Sequence, residues 1–207
     1  MPASPPPPTL NNGVPFIGLT GGIGAGKSAA LAALEHLGAA VLSTDAVVHA
    51  LYESDEVRDA VVERFGATVA PGGVVDRGLL AEAAFASGES RAWLEGLLWP
   101  LVGGRMWSWR QDVEALDPAP PAAVVEVPLL FESGMEHGFD ATIAVVVDEG
   151  VRAERAASRG HRAVDERAAR QLSQDEKAAR ATYVVVNDGD LVQLEAKLSE
   201  VLAMLGG

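Results

Sequence analysis

The sequence predicts an α/β fold: a doubly wound, three-layer arrangement with a parallel five-stranded sheet, interrupted by a helical insertion. Three observations predict it. Nearly continuous Val/Ile-rich runs recur along the chain, "PFIGLT", "AAVLST", "AAVVEVP", "ATIAVVV" and "TYVVVN", as expected of strands buried on both faces. Between them lie Ala/Leu/Glu/Arg-rich stretches long enough for crossover helices. One interval, from about Asp45 to Asp117, is helical in pattern and too long for a single crossover. With 207 residues, 48% of them apolar, the chain has material for one sizeable core and a small appended lobe.

The chain opens with "MPASPPPPTLNNGVP", whose prolines fix φ and remove backbone donors, so an extended or disordered tail is expected over residues 1–14. It lacks the basic region and apolar run of a signal peptide. The first strand then runs into Gly21–Ser28, "GGIGAGKS", which fits G-x-x-x-x-G-K-[ST] directly after a strand and directly before a helix. Glycines let the backbone turn its N–H groups inward, and the helix adds the positive end of its dipole. Lys27 would reach the β- and γ-phosphates, and the Ser28 hydroxyl would ligate Mg²⁺. A nucleoside triphosphate site follows, and with it a P-loop NTPase-type fold.

The second strand ends near Asp45, at the carboxyl edge where open α/β sheets bind ligands. Asp45 reads equally as a base for an acceptor hydroxyl and as an N-cap for the helix "AVVHALY". His49 lies one turn beyond it, with a packed or surface role as its default. The insertion holds all four tryptophans; Trp93, Trp107 and Trp109 are expected to be packed helical core. Glu126 interrupts the apolar run of the third strand, where a carboxylate is costly without a partner; a role near metal or substrate and an outward-facing edge position are both open. After the fourth strand, Arg155 and Arg159 fall one helical turn apart, with Arg162 and Arg167 beyond a break at Gly160. Guanidinium groups suit phosphate oxygens, and such a segment reads as a lid; Arg152 and Arg170 read as ordinary solvated helix. "GDLVQLEAKLSEVLAML" closes the chain as an amphipathic helix.

The absence of cysteine excludes disulfides, thiolate metal sites and a cysteine nucleophile. A formal net charge of −13 argues against non-specific binding to nucleic acid or anionic membranes. No apolar run approaches membrane-spanning length, and a cytoplasmic protein is expected. His36, His49, His137 and His161 show no metal-ligand spacing. The late "VVVNDGD" stands where a GTPase would carry its guanine-reading Asn/Thr-Lys-x-Asp. A small-molecule kinase is the reading, acting on an alcohol acceptor. A kinase for a nucleoside, nucleotide or sugar, and an ATP-dependent switch, stand as alternatives on the residues alone.

In order, the blocks "GLTGGIGAGKS", "DAVVHALY", "FGATVAPGGVVDRGLLAEAAF", "VPLLFESG", "RAERAASR", "RAARQLSQDEK" and "VVVNDG" resemble the dephospho-coenzyme A kinase family from about Phe16 to Leu205. The resemblance implies a P-loop kinase core at 15–44, 118–150 and 168–207, a helical substrate-binding domain at 45–117 and a lid at 151–167. It implies transfer of the γ-phosphoryl group of ATP to the ribose 3′-hydroxyl of dephospho-coenzyme A, with Mg²⁺. Asp45, Lys27, Arg155 and Arg159 match the catalytic groups. Gly22, Ile23, Gly24, Ala25, Gly26, Lys27, Ser28 and Ala29, with Asn187 and Gly189 near the adenine, match the ATP site. Asp45, His49, Arg77, Glu126, Pro128 and Leu129 match the acceptor site, and Ser28 the Mg²⁺ ligand. A monomer without nucleic-acid or membrane partners is the favoured state. The chain departs from the family pattern at Ser43-Thr44-Asp45 in place of Asp-Ala-Asp, at Trp99-Pro100 in place of His-Pro, at Glu126 in place of Asp, and at Ala181-Thr182 in place of Ala-Asp.

Overall fold

In the computed structural model, which describes residues 13–148, 150 and 171–206, strand β1 (Phe16–Gly21) is buried along its whole length. It is the middle strand of a five-stranded sheet of order β2-β3-β1-β4-β5, with β2 at Ala40–Ser43, β3 at Ala123–Glu126, β4 at Ala141–Val146 and β5 at Tyr183–Val186. The β1/β3, β1/β4 and β4/β5 pairs are parallel, with Leu19 opposite Glu126 and Ile143. Strands β1 and β3 and most of β4 are buried and have no solvent side, which is why their runs are apolar throughout rather than alternating; β5 departs from this, with Val184 and Val186 exposed.

The chain divides into a sheet unit (1–42 and 110–207) and a helical unit, Ser43–Trp109. In the sheet unit, helix α1 (Lys27–His36) contributes Ala30 and Leu34 to the core. The final helix, here α7 (Leu191–Leu205), contributes Leu194, Leu198, Val201, Leu202 and Leu205. These recur at the spacing of one helical face, and they join Ile17, Leu19, Val124, Ile143 and Val145 from the sheet. A short helix, α6 (Gln174–Arg180), starts at a capping box in which the Ser173 hydroxyl accepts from the Glu176 N–H and the Glu176 carboxylate accepts from the Ser173 N–H.

The helical unit contains α2 (Thr44–Tyr52), α3 (Asp55–Phe65), α4 (Arg77–Phe85) and most of α5 (Gly88–Glu114), which continues into the sheet unit from Arg110. Ser54 caps α3, and Asp76 caps α4 by accepting from the Gly78 and Leu79 N–H groups. Short 3₁₀ turns at Ala67–Val69 and Pro71–Gly73 separate α3 from α4. Val57, Val61, Leu80 and Ala84 are buried, and Trp93 meets Phe65 edge-on at 5.4 Å. Trp107 corrects the expectation of a packed core: it is 59% exposed, as Trp99 is at 57%. The buried stripe of α5 is instead Leu98, Val102 and Met106. No helix among the described residues is long and apolar enough to cross a membrane.

The segment 151–167 expected to form a lid, with Arg152, Arg155, Arg159, His161, Arg162 and Arg167, lies outside the described residues, as do Arg170 and residues 1–12 of the expected tail.

Candidate active site

At the carboxyl end of β1 the chain turns through Gly22–Gly26 into α1. The turn begins at Gly21, where a Cβ would stand 2.5 Å from the Val145 carbonyl oxygen of the neighbouring strand, too close for any side chain. Gly24 (φ 82°) and Gly26 (φ 93°) adopt left-handed backbone, which L side chains rarely reach. Gly26 is the N-cap of α1 and supplies no side-chain cap. The first N–H groups of the helix therefore face outward for an anion, reinforced by the dipole. The Lys27 ammonium lies across this loop, donating to the Gly21 carbonyl at 3.1 Å and the Gly22 carbonyl at 3.3 Å. Ser28 follows with its side chain exposed.

The loop is held from the β5 side. The Asn187 amide Nδ2 donates to the Ala25 carbonyl at 2.8 Å, and the Asn187 N–H donates to the Val146 carbonyl at 2.8 Å. Both Asn187 and Ala25 are buried, so Asn187 braces the P-loop backbone. Next to it, the Asp148 N–H donates to Asp188 Oδ1 at 2.7 Å, which ties the ends of β4 and β5 together. Gly189 is in the same segment, half-buried.

On the other side of β1, Glu126 ends β3 and is 7% exposed. The edge-strand reading does not hold, because β3 has β2 on one side and β1 on the other. The β1/β3 ladder finishes with the Val127 N–H donating to the Leu19 carbonyl at 2.9 Å. Pro128 has no N–H to continue it. Its carbonyl instead accepts from the Thr20 hydroxyl at 3.3 Å and from Lys177 at 3.1 Å. Pro128 and Leu129 are half-buried at this edge. The one signal for Lys177 in the sequence was its place at the end of the "RAARQLSQDEK" block; its burial had none, since buried lysines are rare.

In the helical unit, the N-cap of α2 is Ser43, so the capping reading of Asp45 is corrected. Asp45 is in the first turn of α2 and exposed, a position where a carboxylate complements the helix dipole. His49 is one turn further along α2, and the Arg77 guanidinium donates to its ring, with Nη1 3.3 Å from Nδ1 and closer to Nε2. Arg77 is the first residue of α4. The three side chains are exposed. No cluster of three or more His, Asp or Glu residues able to hold a metal ion occurs among the described residues.

A buried-backed P-loop with a lysine over its mouth can cradle and polarise a triphosphate. The exposed Asp45, His49 and Arg77 can meet a polar, anionic second substrate. The family model for dephospho-CoA kinase matches residues 15–193. A dephospho-CoA kinase of Deinococcus radiodurans is 40% identical over 197 residues, covering 91% of this chain and 91% of that relative. One of Protochlamydia amoebophila is 37% identical over 189 residues, covering 89% and 93%. A crystal structure of a Thermus thermophilus protein superposes with a TM-score of 0.77 at 34% identity, covering 95% of this chain and all of that one (100%). The dephospho-CoA kinase from Campylobacter jejuni shares the fold, with a TM-score of 0.67 at 21% identity over 92% of this chain and 96% of that one.

Proposed function

The chain belongs to the dephospho-CoA kinase family, and we propose that it transfers the γ-phosphoryl group of ATP to the ribose 3′-hydroxyl of dephospho-CoA, giving coenzyme A. The observation that carries this reading is the P-loop itself. Its helix N-terminus has no side-chain cap, its backbone is braced by Asn187, and Lys27 spans its mouth, within a chain matched to the family from 15 to 193.

Phosphoryl transfer leaves little covalent chemistry for a protein to do, so positioning and charge stabilisation dominate. The N–H groups of Gly22 to Ala29, Ile23, Gly24, Ala25 and Gly26 among them, bind the phosphates. Lys27 neutralises charge on the β- and γ-oxygens as the bond to the leaving group lengthens. Asp45 accepts the proton of the acceptor hydroxyl as the new P–O bond forms. Arg77 and His49, with Glu126, Pro128 and Leu129, bind the acceptor. Arg155 and Arg159 stabilise the moving phosphoryl group, and Asn187 and Gly189 border the adenine of ATP. Mg²⁺ is normally held by one or two protein oxygens together with substrate phosphates, and the exposed Ser28 hydroxyl in the first turn of α1 fits that donor set. When bound, the ion supplies charge neutralisation at the β- and γ-phosphates. The sheet unit carries the nucleotide-binding groups, and the helical unit carries Asp45, His49 and Arg77; the enzyme is cytoplasmic.

ADP release from MgATP, measured with and without dephospho-CoA, tests the proposal. Acceptor-dependent release, with a product heavier by one phosphoryl group, is the expected result. Release indifferent to the acceptor, from protein that still binds MgATP, would leave a nucleotide-binding protein and overturn the substrate assignment. Arg155→Ala should lower kcat on the order of a hundredfold; an unchanged kcat would remove Arg155 from the transition state.

A further inference from the structure

We propose that Lys177 is a positioning residue for phosphoryl transfer, fixing the end of β1, where the P-loop begins, against the loop that leaves β3. The inference rests on the kinase reading above. Lys177 lies on α6 and is completely buried, an uncommon place for a lysine, and one tolerated only when its charge and donors are met. They are met by three acceptors: the Thr20 hydroxyl at 3.4 Å, the Pro128 carbonyl at 3.1 Å and the Glu132 carboxylate, whose Oε1 is at 2.8 Å. The ammonium thus uses one donor on each of two strand ends and one on a counter-ion.

The location gives the cluster its significance. The β1/β3 ladder stops at Pro128 for want of an N–H, and immediately beyond it the two chains part, one into Gly21 and the phosphate loop, the other into Leu129–Phe131. Thr20 and Lys177 replace the missing rung: the Thr20 hydroxyl donates to the Pro128 carbonyl and accepts from Lys177. The same helix grips the loop a second time. The Arg180 guanidinium pairs with Glu136 and lies over the Phe131 ring at 4.9 Å. Helix α6 is itself anchored to the sheet by Gln174, whose side-chain amide donates to the Val147 carbonyl at 2.9 Å and accepts from the Val147 N–H at 3.0 Å. The Lys177 ammonium bonds to Thr20, Pro128 and Glu132, beside the phosphate loop and not within it, so it acts through the placement of its neighbours.

The variant that separates placement from stability is Lys177→Met with Glu132→Gln. Removing both charges avoids stranding one of them in the interior, which is the costly case. The amide introduced by Glu132→Gln keeps an acceptor for the Leu172 N–H, now held by the Glu132 carboxylate at 2.8 Å. Kinetics with MgATP and dephospho-CoA, thermal melting and calorimetric ATP binding are compared with the wild type. The expected result is a folded protein whose kcat falls about tenfold or more, because small misplacements of reacting groups are costly, while the ATP Kd changes less than about threefold because the phosphate-binding N–H groups of the loop are unchanged. Thr20→Val is the second variant; it keeps the ion pair and the side-chain shape, deletes only the hydroxyl link, and should lower kcat severalfold with the same split. Wild-type kcat in either folded variant would overturn the proposal, as would a loss of kcat matched by an equal loss of ATP affinity. Should the double variant fail to fold, the Thr20→Val kinetics decide. A wild type that shows no acceptor-dependent turnover is a different result, and it removes the kinase reading rather than the role of Lys177.

Discussion

The two units treat their polar residues in opposite ways. In the sheet unit Thr20, Glu126, Lys177 and Asn187 are all under 9% exposed, and the hydrogen bonds of Thr20, Lys177 and Asn187 run to strand ends and to the phosphate loop. In the helical unit Asp45, His49 and Arg77 are exposed, and Thr44 is its one buried polar residue among those described. A buried, satisfied network holds its geometry before any ligand arrives, because an unpaired member is costly. Exposed groups are solvated and gain their full electrostatic strength only when a ligand displaces the water. The buried polar groups of the sheet unit are therefore held in place in advance, and the exposed groups of the helical unit keep their hydration until a ligand displaces it. The difference separates two kinds of mutational outcome: changes in the sheet unit should disturb stability and function together, and changes on the helical unit should disturb function alone.

The largest test is Asp45→Asn. If Asp45 accepts the proton of the hydroxyl, kcat should fall roughly a thousandfold, within the range for a positioned general base. ATP binding by calorimetry should be unchanged, and the Tm should move by no more than about 2 °C, as for an exposed substitution. A large loss of Tm would break the comparison by showing that Asp45 is structural. Asn187→Ala is the matching change in the sheet unit. It leaves the buried Ala25 carbonyl without its side-chain donor, at a cost of about 1–3 kcal/mol. The Tm should drop by several degrees and KM for ATP should rise together. A weaker ATP interaction at an unchanged Tm would mean that Asn187 contacts the nucleotide instead of bracing the loop.

Arg77 sharpens the contrast further, since there stability and function should move in opposite directions. It occupies the first position of α4, whose N-terminus already carries the positive end of the helix dipole. A cation there is unfavourable by a few tenths of a kcal/mol, roughly. Arg77→Ala should therefore leave the protein as stable or slightly more so in denaturant unfolding. If Arg77 binds an anionic part of the acceptor, KM for dephospho-CoA should rise about tenfold with kcat little changed, the pattern of an interaction made equally in ground and transition states. Destabilisation together with an unchanged KM would assign Arg77 to the packing of the helical unit.

What the sequence made legible was local. The strands announced themselves as continuous apolar runs, and the P-loop as a spaced motif between a strand and a helix. The corrected readings were settled by non-local facts. Glu126 is buried because β3 lies inside the strand order, which the run "AAVVEVP" does not encode. The burial of Lys177 had no local sign, because its partners Thr20, Pro128 and Glu132 lie 157, 49 and 45 positions away. Asn187 could be placed near the nucleotide by resemblance, yet its bond to Ala25 spans 162 positions. Trp107 was expected inside on the strength of its residue type, but the buried face of α5 passes through Leu98, Val102 and Met106, and a helix buries a stripe, not its most apolar residues wherever they fall.

The smallest effect tests whether exposure alone draws the line between the units. Glu176 lies on the surface of the sheet unit, at the start of the helix that carries Lys177. The Ser173 hydroxyl donates to its carboxylate at 2.8 Å and the Ser173 N–H does the same at 2.8 Å, and these bonds hold its pKa below the ordinary glutamate value. A carboxylate with a depressed folded-state pKa stabilises the fold above its unfolded pKa, near 4.3 or so, and that contribution is lost as the pH falls through the folded value. Ser173→Ala removes the hydroxyl and leaves the N–H, so the pKa of Glu176, followed by carboxyl NMR, should rise part of the way back. Near neutral pH the variant should melt roughly 2–4 °C lower through loss of the cap. That gap should stay constant down to about pH 5 and narrow below about pH 4, where the wild type begins to lose the same interaction. A gap that ignores pH would make Ser173 a cap and nothing more. A narrowing gap would show that bonding, not burial, marks the preformed half of this molecule, and that its order reaches the surface where α6 begins.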